Sequence, residues 1–119
     1  MNHARSSGSA HAGMMPWLWQ RVTAIYLAGF VIYVIVQLNL SPIRNHADWQ
    51  AWFAIGYVRL AWAIFILSIL VHAWIGLRSV YMDYLKPAWL RVSVLSLTLL
   101  ALLAQGVWVG DILLWGLQP

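Results

Sequence analysis

The chain has 119 residues, 63% hydrophobic and 8% charged, with a mean hydropathy of +0.76. A soluble domain of that size needs more charge to cover its surface, so the composition points into a membrane and leaves little chain for a water-soluble active site. The net charge of +4 is no sign of nucleic acid, because Arg5, Arg21, Arg44, Arg59, Arg78, Lys86 and Arg91 stand singly between apolar runs, and the lack of cysteine excludes disulfides, iron–sulfur clusters and thiol chemistry on this chain.

Met1 to Met15 is rich in Ser, Gly, Ala and His, has no apolar period, and reads as a mobile tail. It is basic and free of acids, which admits a targeting remnant. The apolar run behind it is too long for a secretory signal and carries no cleavage site. A first membrane helix is expected from Pro16 to Leu40, with proline in its first turn and Ser41-Pro42 as its stop. Ile43 to Gln50 reads as a polar loop. A second helix follows from Trp52 to Met82, closed by Lys86-Pro87, and a third from Ala88 to Trp115. The expectation is an all-α membrane protein: three transmembrane helices in one anchor domain over residues 16–119, behind a tail over 1–15.

With three spans the tail and the second connection share a side. That side holds Arg5, Arg21, Arg78, Lys86 and Arg91 against Arg44 and Arg59 opposite, which predicts a cytoplasmic N-terminus in a bacterial inner membrane. A mitochondrial inner membrane is the less favoured setting. Trp17, Trp19 and Trp89 fall at one expected interface and Trp49, Trp52 and Trp115 at the other. Trp62 and Trp74 fall within the second helix and need packing partners.

His72 is the one imidazole inside a span, about 9 Å from the Arg78 end of its helix. An ionisable group at that depth faces a protein interior or cavity. Ser68, Gly76, Ser79 and Asp83 fall within about 40° of it on the helical wheel, so this face is small and polar, and Gly76 offers room for a flat group. Three readings stand at this point: axial ligation of haem iron, a packing histidine, and a proton relay. His3, His11 and His46 lie in the tail and the polar loop, so a six-coordinate haem on His72 takes its second ligand from another subunit.

Asp83 and Tyr84, at the inner interface, suit a quinone carbonyl and its protons, although position alone favours a polar helix end in the aromatic belt. Arg21 suits a buried carboxylate or a lipid phosphate. Thr98, Ala101 and Gln105 form a stripe that reads as a helix-packing seam. No nucleotide loop, metal-ligand cluster or nucleophile–base pair is present, so no catalytic machinery is expected on this subunit.

The run His72-Ala73-Trp74-Ile75-Gly76-Leu77, then Asp83-Tyr84-Leu85-Lys86-Pro87, resembles the small hydrophobic membrane-anchor subunits of succinate dehydrogenase, as does Arg21-Val22-Thr23-Ala24. The resemblance spans about Gln20 to Trp115. It implies a heterodimeric transmembrane bundle in which a second anchor subunit shares one haem b. His72 would be an axial ligand to its iron, Arg21 a partner of a propionate, and Tyr84 a contact of ubiquinone with Asp83 beside it. Flavoprotein and iron–sulfur subunits would dock on the inner face, oxidise succinate and pass electrons to the quinone. Twelve residues separate His72 from Tyr84, about 18 Å along a helix, which sets haem at mid-depth and quinone near the inner surface. Two other readings remain: the anchor of a quinol:fumarate reductase, and a non-enzymatic membrane assembly or transport subunit.

Overall fold

A computed structural model describes residues 7–115 of the chain, with side chains from Gly13 onward. Four helices follow in order: α1 (Ser7–Leu40), α2 (His46–Ala54), α3 (Gly56–Tyr84) and α4 (Ala88–Leu114). Gly13–Leu40 within α1, α3 and α4 are each long and apolar enough to cross a bilayer. In lipid, a helix satisfies every backbone group within its own segment, which is why so apolar a chain takes this form.

Two boundaries differ from the sequence reading. The first helix starts at Ser7 rather than Pro16, so Pro16 lies inside it. Proline has no N–H to give, which leaves the Ala12 carbonyl without its helical donor. Pro16 falls in the opening turn of the apolar span, so the residue read as a helix start marks the start of the hydrophobic segment instead. The first six residues of the expected tail, and Gly116 to Pro119, lie outside the described residues.

The second difference is in the connection. The polar loop folds as α2, and the expected second helix is divided at Ile55. Asn45 caps α2, its side chain accepting from the Asp48 N–H at 2.9 Å, and the Asp48 carboxylate accepts from the Arg44 N–H at 2.9 Å. At the other end Ile55 is extended (φ −70°, ψ 118°). The Phe53 carbonyl freed by that break accepts from Arg59 Nε at 3.2 Å. The polar residues that read as loop composition thus form a helix cap, and Arg59, expected within the second helix, locks the carbonyl at the break.

The long helices form a row rather than a triangle. α3 packs against α1 on one side and α4 on the other, and α1 and α4 do not touch among the described residues. The molecule measures 68 × 28 × 21 Å. α2 turns back onto α3, where Trp52 and Phe53 meet Trp62 with ring centroids 6.0 and 5.4 Å apart. Phe30 of α1 reaches the same Trp62 at 5.0 Å and Phe65 at 4.6 Å, so one aromatic cluster joins three helices. Trp62 thereby finds the packing its position required, although its buried Nε1 has no hydrogen-bond partner.

The α3–α4 seam lies elsewhere than expected. Thr98 does face α3, donating to the Tyr81 hydroxyl at 3.2 Å, but Ala101 and Gln105 are exposed. Contact runs through Gly106, where an added Cβ would sit 3.0 Å from Leu70 Cδ1. Gly106 and Gly110 form a small-xxx-small pair, a signal present in the sequence, and Gly106 is the member that brings the two helices close.

Candidate functional site

α1 and α3 run antiparallel, which brings the start of one beside the far half of the other. His72 therefore meets Gln20 and Thr23. Its Nδ1 lies 3.3 Å from the Gln20 carbonyl oxygen and 3.2 Å from Thr23 Oγ1. A carbonyl only accepts, so Nδ1 carries the proton and donates. Thr23 spends its own hydroxyl proton on the Trp19 carbonyl at 2.7 Å, leaving lone pairs toward the imidazole. Both contacts to Nδ1 are long, the geometry of a single N–H shared between two acceptors. The consequence is chemical: in the neutral ring this tautomer leaves the Nε2 lone pair open to a metal.

That arrangement is what a ligating histidine requires. The second nitrogen is tied to a carbonyl and a hydroxyl, which fixes the tautomer and ring orientation and raises the basicity of the ligating one. Thr23 is buried, and His72 is half-buried against α1. Thr23 belongs to the site although the sequence reading gave it no role. Its signal was the spacing Gln20 to Thr23, one helical turn, opposite a lone intramembrane histidine.

Around this centre the small polar face divides. Ser68, one turn from His72, is buried. Gly76 lies against α1, where an added Cβ would meet Gln20 Nε2 at 3.4 Å, so the space expected there for a flat group is partly lined by the Gln20 amide. Ser79 donates to the Ile75 carbonyl at 2.9 Å and Asp83 is exposed, both nearer the end of the row rich in basic residues.

Arg21 lies in the turn next to Gln20, its guanidinium 5.2 Å over the Trp17 ring. It lines a cleft of about 470 Å³ between α1 and α3, together with Gln20, Ile75, Arg78 and Ser79. The structure thus brings Arg21 near the His72 region and adds Arg78, which the sequence reading treated as a membrane anchor.

Tyr84 and Asp83 are not brought into that centre. Tyr84 ends α3, and Leu85 closes the helix by donating its N–H to the Tyr81 carbonyl at 3.0 Å. Its side chain is 79% exposed, so on this chain it stands on an open face rather than in an enclosed pocket. Among the described residues, no group of three or more His, Cys, Asp or Glu is placed to hold a metal ion. A metal on His72 would need its remaining ligands from a macrocycle or another chain.

Residues 1–112 match the family described as succinate dehydrogenase/fumarate reductase transmembrane subunit. The chain is similar to a protein of Coxiella burnetii named succinate dehydrogenase hydrophobic membrane anchor subunit. They are 31% identical over 105 residues, covering 88% of this chain and 91% of that one. Proteins of the same name from Rickettsia conorii and Rickettsia bellii are 35% and 31% identical, each covering 74% of this chain and 71% and 70% of theirs. This chain belongs to the family of transmembrane subunits of succinate dehydrogenase and fumarate reductase.

Proposed function

We propose that the chain is the hydrophobic membrane anchor of a bacterial succinate:ubiquinone oxidoreductase, holding one haem b jointly with a second anchor subunit and forming part of the ubiquinone site. The observation that carries the haem assignment is the hydrogen bond from His72 Nδ1 to the Gln20 carbonyl, which leaves Nε2 as the ligating nitrogen. The three spans in a row leave broad apolar faces open, room for a second anchor subunit or for lipid.

Haem, when bound, supplies a one-electron centre in surroundings of low dielectric. The chain's own residues then have separable tasks. His72 donates the Nε2 lone pair, and Gln20 and Thr23 hold its ring in place. Arg21 pairs with a propionate. At the end of α3, the Tyr84 phenol donates a hydrogen bond to a quinone carbonyl, while Asp83 beside it takes protons from the aqueous side. The iron–sulfur and flavoprotein subunits of the complex deliver the electrons at this same end, and its excess of basic residues supports a cytoplasmic setting for it and for the N-terminus.

The matched family covers both directions of the reaction, but all three relatives described above are named for succinate dehydrogenase, which favours succinate oxidation. The test is a reduced-minus-oxidised spectrum of the purified complex carrying His72→Ala. The b-type bands are expected to vanish or shift while the three spans remain inserted. Unaltered bands in that variant would overturn the ligand assignment.

A further inference from the structure

We propose that Arg78 joins Arg21 as a two-guanidinium clamp for an oxyanion, a carboxylate or a phosphate, in the cleft beside His72. The inference rests on the haem reading only where the oxyanion is a haem carboxylate.

The cleft, about 470 Å³, opens between α1 and α3 at their basic end. Arg21 and Arg78 both line it, and no aspartate or glutamate does. The chain has three acidic residues in all. Asp48 is engaged in the cap of α2, Asp111 lies near the opposite end of α4, and Asp83 lies beyond the cleft toward the end of α3. Both arginines are exposed within this chain, and two like charges lining one cleft repel each other until a bound anion attracts both. Guanidiniums suit the task because each offers paired N–H donors that match the two oxygens of a carboxylate or phosphate.

Gln20 ties the cleft to the imidazole. Its carbonyl accepts from His72, its amide lies against Gly76, and it also lines the cleft. An anion held by Arg21 and Arg78 thus sits one residue's breadth from the group that orients His72. Independent snorkelling of the two arginines to lipid is the bland alternative. It does not explain why both line one cleft whose α3 wall, Ile75, Arg78 and Ser79, spans the two turns after His72.

The experiment uses the intact, detergent-purified complex with Arg78→Gln, Arg78→Lys and, as a cation of the same end outside the cleft wall, Arg91→Gln. Two quantities are read: the haem midpoint potential and the bound phosphorus per complex. Removing a cation beside the haem favours its more positive, oxidised form. With a haem carboxylate as the oxyanion, Arg78→Gln raises the oxidised-to-reduced ratio at fixed potential by about threefold to tenfold, a lowering of ~30 to 59 mV. Arg78→Lys restores most of it and Arg91→Gln has a smaller effect. With a lipid phosphate as the oxyanion, the potential stays and bound phosphorus falls on Arg78→Gln alone. No change in either quantity overturns the clamp. Absence of haem from the unaltered complex would instead sink the haem reading, and the phosphorus measurement would still test the clamp.

Discussion

Replacing Thr23 by valine isolates the hydrogen bond that holds His72. Valine matches threonine in shape, so the α1–α3 contact survives while the hydroxyl that accepts from Nδ1 at 3.2 Å is lost. The Gln20 carbonyl at 3.3 Å remains, and one of two shared acceptors is removed. A typical net hydrogen bond contributes about 0.5–1.5 kcal/mol, and the long, shared geometry puts this one at about 0.5–1 kcal/mol. An acceptor on Nδ1–H pushes electron density toward Nε2 and favours the ferric state, so its loss raises the haem midpoint potential. At ~59 mV per tenfold change in a one-electron equilibrium, the full strength of the bond sets a ceiling on the rise of ~20 to 40 mV, and the part that differs between ferric and ferrous states is what appears. Redox titration of the b-type bands in membranes measures it, with Thr23→Ser, which keeps the hydroxyl, as the matched control. A potential unchanged in Thr23→Val, or shifted equally in Thr23→Ser, would refute the orienting role.

Two further outcomes follow from the remaining geometry. Tyr84→Phe removes the phenolic proton from an exposed helix end, and is expected to slow quinone reduction more than succinate oxidation assayed with a soluble dye; equal loss of both would mean an assembly defect. Gly106→Val forces branched carbons into a contact where even one Cβ meets Leu70 at 3.0 Å. Overpacking of that kind costs about 1–3 kcal/mol, read as a lower melting temperature of the purified complex, and an unaltered melting temperature would show that the seam adapts freely.

The three spans were legible because twenty apolar residues in a row have few alternatives, and their charge-poor runs fall where the helices lie. His72 was legible for the same reason: a lone imidazole in such a run stands out. What stayed hidden depended on partners from another helix. Thr23 gives no sign by itself that its hydroxyl faces an imidazole 49 residues away. Arg78 resembles any juxtamembrane cation until α1 places Arg21 in the same cleft. The α2 helix was missed because Asn45 and Asp48 look like loop residues until their bonds to backbone N–H groups are seen, and the break at Ile55 was missed because nothing in an apolar run announces that Arg59 will hold the freed Phe53 carbonyl. Pro16 misled in the other direction, since its position marks the edge of the apolar segment while the helix runs on before it.

The break at Ile55 governs the height of everything beyond it. α2 carries Trp49 and Trp52, side chains that settle at a bilayer's polar boundary, and only one residue separates it from α3. A plain hydrophobic rod can bob up or down by a turn, about 5.4 Å, at small cost. With an aromatic collar folded against its first turns, α3 loses that freedom. The collar acts as a depth stop, so the imidazole and the tyrosine, both toward the far end of α3, each keep a set depth in the membrane.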